Sequence, residues 1–180
     1  MTLRIRSAIK KAAAAIVVLS IMAAFAPAVS LAAITPYFVA ANDTLLSFNE
    51  STMPYVSGGD ILMPDRVFEG AGVWSTSSAD REMVRLYRGN RYVDFFTESG
   101  ETRSQDGNAL NWPSARRTGR RFYVPLRQVC EYFGLTYQII EVPSNIISEE
   151  RMRIIRIISD STVSGTSFVS TNERALRAAS

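Results

Sequence analysis

Histidine is missing from this chain. Its absence removes the commonest metal ligand and the commonest general base. Ser/His/Asp and Cys/His nucleophile systems are excluded with it. Cysteine is limited to Cys130, so no intramolecular disulfide can form. Cys130 falls on the apolar side of a helical period, where a buried, inert thiol is expected. Lysine occurs only at Lys10 and Lys11, so every basic residue beyond them is arginine. Long apolar runs are scarce as well. Residues 12–25 form a run of 14 residues, short of the roughly 20 needed to span a bilayer.

What precedes and follows that run gives it meaning. Arg4, Arg6, Lys10 and Lys11 make a basic head, and Pro27, Ala28, Ser30, Ala32 and Ala33 make a small-residue region. This is the pattern of a secretory signal peptide, expected over residues 1–32 with cleavage after Ala32. The alternative is a retained anchor, which would be the chain's sole link to a membrane. The full chain has 20 basic and 17 acidic residues, net +3. Residues 1–32 hold four of the basic residues and no acidic ones, leaving 16 against 17 and a net charge of −1. The basic isoelectric point therefore belongs to the leader and does not point to nucleic acid. The expected location is secreted or associated with the cell envelope.

About 148 residues remain after the leader, enough for one domain with its own core. The stretch Arg120–Ile140 reads strand, short helix, strand. Phe122, Tyr123 and Val124 favour a strand. Pro125 opens a helix, Leu126, Val129, Cys130 and Phe133 share one face, and Gly134 ends it. Asp60–Trp74 repeats the theme, with Pro64 and Arg66 aligned on Pro125 and Arg127, and Gly72 on Gly134. A duplicated supersecondary unit is the reading of that recurrence. Between the copies, Met83–Arg88 and Arg91–Phe96 flank Gly89-Asn90 as a hairpin. Tyr37–Ala40 and Met152–Ile158 are further strands. The expected fold class is α+β: an antiparallel sheet packed on short helices, built from two related strand–Pro–helix–Gly–strand units.

These residues resemble a known family. Tyr123-Val124-Pro125-Leu126-Arg127 followed by Gly134-Leu135-Thr136-Tyr137 is similar to the copper amine oxidase N-terminal-like, or stalk, domain of secreted Gram-positive bacterial proteins. Met63-Pro64-Asp65-Arg66-Val67-Phe68 with Gly72-Val73 resembles its first half. Met63 and Asp65 depart from that pattern, where valine and leucine are usual. The likeness covers residues 37–159 and leaves 160–180 as a Ser/Thr-rich tail, weakly helical at its end. In the oxidases copper is held by histidines of a separate catalytic domain. With no histidine here, neither copper nor oxidase activity follows, and no cofactor, metal or catalytic residue is expected.

Candidate contacts are few. Arg116, Arg117, Arg120 and Arg121 form a cluster whose guanidinium forks match carboxylate or phosphate; a solvated hairpin tip is the simpler reading of the same charges. No aromatics interleave with them for base stacking. Tyr92 and Trp112 are kept as exposed aromatic contacts, against the reading that they are core. Arg66 and Arg127 recur in matching places and read as structural partners under each helix start. Asp106-Gly107-Asn108 is a turn, since too few further oxygens accompany it for calcium. Glu98 with Glu101, and Glu149 with Glu150, are assigned to surface. The expected function is a secreted, non-catalytic envelope module for binding or spacing, its partner a cell-wall polymer or envelope protein. The alternative is an accessory domain of a secreted hydrolase.

Overall fold

The computed structural model describes residues 37–47, 49, 53–142, 152–159 and 165–179. The chain divides after Ile34, and all of these residues belong to the second unit. The expected signal segment, and Glu149 with Glu150, lie outside them. The fold is mixed α+β, with mostly antiparallel sheets and a few short helices.

Among the described residues, three sheets share the strands. The first has the order β12 (Thr136–Glu141), β13 (Arg153–Ile158), β1 (Tyr37–Ala41), β2 (Thr44–Leu45). The second has the order β10 (Arg116–Thr118), β11 (Arg121–Pro125), β4 (Asp60–Pro64), β3 (Tyr55–Ser57). The third is a meander of β5 (Trp74–Ser77), β6 (Met83–Arg88), β7 (Arg91–Phe96), β8 (Thr102–Ser104) and β9 (Ala109–Leu110). The expected single antiparallel sheet is thus three, and β1 runs parallel to β13. The sequence of β13, Arg-Ile-Ile-Arg-Ile-Ile, explains that exception. Its four central residues are buried, and near-continuous apolar runs suit strands covered on both faces.

The hairpin β6–β7 forms where alternation and Gly89-Asn90 place it. Val84, Leu86, Val93 and Phe95 all turn inward and are buried. On the other face Arg85 sits opposite Asp94 and donates two hydrogen bonds to its carboxylate, at 2.7 and 2.8 Å.

Two short helices each follow a strand that ends in proline. After β4, Asp65–Ala71 is a 3-10 helix, and Gly72 closes it in the left-handed region at φ 77°. After β11, Leu126–Phe133 is an α-helix, and Gly134 closes it at φ 67°. The chain end of each helix is tied the same way: Val73 N–H donates to the Phe68 carbonyl at 3.0 Å, and Leu135 N–H to the Cys130 carbonyl at 2.8 Å. The first helix contains Val67 and Gly70, weak helix formers, and winds more tightly than the second. Strands β4 and β11 pair antiparallel, with Met63 opposite Val124, Leu62 opposite Pro125 and Pro64 opposite Tyr123.

Most buried apolar side chains form one core. Met63, Phe68, Leu86, Phe95, Val124, Leu126 and Ile155 belong to it, with Cys130 2% exposed. Burial pushes the Cys130 thiol pKa up to about 12. A smaller cluster joins Phe38, Ala40 and Ile154 to Phe168, Val169 and Leu176 of the helix Gly165–Ala179. The tail expected to be only weakly helical at its end is thus helical from Gly165, with Phe168, Val169 and Leu176 seated in this cluster. Arg156 is fully buried beneath it, 4.7 Å from the Phe168 ring centroid, and bonded to the Asn42 carbonyl and the Asp43 carboxylate.

Candidate functional site

The hairpin β10–β11 carries the arginine cluster that the sequence marks. Strand alternation divides its members. Arg116 lies across from Tyr123 and beside Tyr55, whose pKa is raised by burial and partly offset by the Arg116 charge. Arg117 lies across from Phe122 and reaches back to another turn, donating to the Arg81 carbonyl at 2.9 Å. Arg120 and Arg121, at the tip and the return, do something else. They line a cleft of about 470 Å³.

Two further arginines reach that cleft. Arg66 comes from the 3-10 helix, with its side chain 76% exposed and 3.4 Å from Glu69. Arg81 comes from the β5–β6 turn. Strand β5 supplies another wall through Ser75, Thr76 and Ser77, and Asp65, which is buried, is the acidic residue of the lining. Four arginines and one aspartate thus contribute to the lining, together with Ser75, Thr76 and Ser77. Such a lining concentrates positive potential, because the protein walls focus the field.

The position of Arg81 is held by its turn. Its backbone is left-handed, at φ 61°. The Arg81 N–H donates to the Ser78 carbonyl at 3.0 Å, and the Met83 N–H to the Ser78 hydroxyl at 3.1 Å. Ser78 also donates to the Asp80 carboxylate, which accepts from the Glu82 N–H at 3.0 Å. Those hydrogen bonds, led by Ser78, hold the Asp80 carboxyl below its usual range. Arg117, bonded to the Arg81 carbonyl, joins this turn to the hairpin. Arg117 is therefore a positioning residue for the cleft.

Tyr92 and Trp112 do not join the arginines. The Arg85 guanidinium stacks 4.0 Å from the Tyr92 ring centroid, and the Tyr92 hydroxyl donates to the Gln105 carbonyl at 3.3 Å. Trp112 is half-buried between Phe95 and Tyr132, at centroid distances of 5.9 and 5.6 Å. Both residues are partly exposed, and each ring also makes contacts within the protein.

Arg127 has a different setting from Arg66. Tyr137 stands beside it and, with Glu131 and Asp60, raises its pKa. A small cavity of about 110 Å³ lies there, lined in part by Asp60, Arg127 and Tyr137. Among the described residues no three His, Cys, Asp or Glu side chains come together as a metal site. Among them, too, no helix is long and apolar enough to cross a membrane.

The sequence marks Arg120 and Arg121 but misses Arg81, and it reads Arg66 as structural. Nothing local in Ser78-Ala79-Asp80-Arg81 says that this turn will pack near a hairpin tip far along the chain. The matched placing of Arg66 and Arg127 is the one local signal that Arg66 stands at a boundary between elements. Comparison with protein-family models, curated proteins and solved structures finds no match to this chain.

Proposed function

We propose that this chain is a secreted, non-catalytic module of the cell envelope that binds an anionic wall polymer. The convergence of Arg66, Arg81, Arg120 and Arg121 on one cleft carries this reading. Arginine serves such contacts better than lysine, because its planar fork gives two donors to one oxyanion group. The leader-like residues 1–32 support the location, and the net charge of −1 beyond them makes the basic cleft a local feature.

The scaffold in this reading is a duplicated strand–Pro–helix–Gly–strand unit, of the kind seen in the stalk domain that the chain resembles. Its support is the register of β4 and β11. Aligning Pro64 on Pro125 without gaps takes Met63 to Val124 and Leu62 to Tyr123. Met63 pairs with Val124, Leu62 with Pro125 and Pro64 with Tyr123, so the alignment exchanges the pairs among themselves. Two copies related by a local twofold axis would pair in that way. The matching proline starts and left-handed glycine ends of the two helices agree with it.

Retention on purified cell walls tests the function. The protein is expected to sediment with walls well above an unrelated protein of similar charge, and to be released by salt. Equal sedimentation of the two proteins would overturn the proposal.

A further inference from the structure

The two cavities beside the prolines occupy corresponding places. The alignment of Pro64 on Pro125 takes Gly59, Asp60 and Ile61 to Arg120, Arg121 and Phe122. It takes Asp65 and Arg66 to Leu126 and Arg127. Gly59, Asp60, Ile61, Leu126 and Arg127 line the smaller cavity, and their five counterparts line the larger cleft. Each cavity also has a wall from the strand after the αL glycine: β12 for the smaller, β5 for the larger.

The molecule therefore contains its own control. In the smaller cavity Arg127 has Tyr137 beside it, with Glu131 and Asp60 adding weaker attraction for its charge. In the larger cleft Arg120 stands where Gly59 does, and Arg121 where Asp60 does. Arg81 adds a further positive charge from a turn that has no part in the smaller cavity. Both units have the same strand, proline start and glycine end. The extra cations therefore set the larger cleft apart from its counterpart. They enlarge the positive charge of one cavity out of two.

We infer that the arginine cleft is a site for a phosphate group carried on a sugar or polyol chain, an inference that rests on the binding-module reading above. The four arginines of the lining come from the 3-10 helix, the β5–β6 turn and the β10–β11 hairpin, so positive charge is supplied by three separate elements. A planar carboxylate is satisfied by one fork in its plane, whereas a tetrahedral phosphate offers oxygens in several directions. Strand β5, with Ser75, Thr76 and Ser77 in the lining, adds polar groups for the remaining oxygens. Nucleic acid fits less well. Single-stranded bases need exposed aromatic faces, and the ring in the lining, Phe122, is only 4% exposed.

The test is calorimetric titration of the full chain near physiological salt, using a glycerol phosphate oligomer, polyglutamate and oligothymidylate. The glycerol phosphate oligomer binds most tightly, and added salt weakens it. Arg66→Gln with Arg120→Gln together lose about 100-fold, roughly tenfold for each charge-assisted contact. Arg127→Gln, in the smaller cavity, stays within about twofold if the contacts at the larger cleft carry the affinity. Thermal melts of these exposed-site variants stay at the wild-type midpoint. Wild-type affinity in the double variant, an equal loss in Arg127→Gln, tighter binding of either other polymer, or no binding by wild type would each overturn the inference. If the double variant still sediments with walls, the cleft assignment falls and the envelope reading stands. If the oligomer binds the cleft but walls retain nothing, the envelope reading falls and the site stands.

Discussion

Met63 and Val124 face one another across β4 and β11, and the residues flanking them pair crosswise, Leu62 with Pro125 and Pro64 with Tyr123. Each strand then runs through its proline into a short helix that ends on a left-handed glycine. These two segments supply the five matched pairs of residues that line the two cavities.

The glycines are the first place to test the matched construction. Gly72 and Gly134 sit at φ 77° and 67°, with no atom within 4 Å of a Cβ added to either. Alanine there meets backbone strain alone, costing about 1–2 kcal/mol. Gly72→Ala and Gly134→Ala are expected to lower stability by similar amounts in urea unfolding, despite the different helix types. A loss confined to one of them would contradict equivalent ends.

Gly70 is demanded by space. A Cβ at this position would lie 2.5 Å from the Cβ of Ala41 in β1. Ala41 is buried, so it has little room to move. Gly70→Ala is expected to cost roughly 1–3 kcal/mol through overpacking. Adding Ala41→Gly should recover part of the loss in a double-mutant cycle. Simple additivity of the two losses would show that the contact is not the cause.

Arg156 ties the helix Gly165–Ala179 to the first sheet. Its guanidinium donates to the Asn42 carbonyl at 2.7 Å and to Asp43, under the Phe168 ring. Arg156→Met is expected to cost roughly 3 kcal/mol, since it leaves polar partners without their donor. Equilibrium denaturation measures it, and hydrogen exchange should speed up first in residues 165–179.

Cys130 gives a pH dependence. Its thiol pKa is pushed from 9.0 to about 12 in the folded protein, mainly by burial. A raised folded value means that its contribution to stability is complete below about pH 9. Above that the unfolded chain loses the proton first, and stability falls by about 1.4 kcal/mol per pH unit until the folded pKa is reached. Cys130→Ala is expected to flatten the stability profile above about pH 9 relative to wild type. Parallel profiles would contradict a buried protonated thiol.

Local features are the most legible in the sequence. Hairpin β6–β7 and the helix Leu126–Phe133 appear where alternation, Gly89-Asn90, Pro125 and Gly134 put them. Each depends on neighbours close by in the chain. The parallel pairing of β1 with β13 is not legible, because it joins the first strand to the last and leaves no local mark. The cleft is half legible for the same reason. Arg120 and Arg121 stand out as a run, while Arg66 and Arg81 join them only through the packing of three elements. Tyr92 and Trp112 look available because nothing local shows which side chains will stand against their rings. In the structure both are partly exposed, and each also makes contacts within the protein.

The assignment of the cleft can be read directly by backbone amide NMR during titration with a glycerol phosphate oligomer. Shifts are expected to concentrate at residues 65–67, 75–77, 81 and 120–122, the segments that line the arginine cleft. Shifts gathered instead at residues 59–61, 126–127 and 137–139, or no shifts at all, would contradict the assignment.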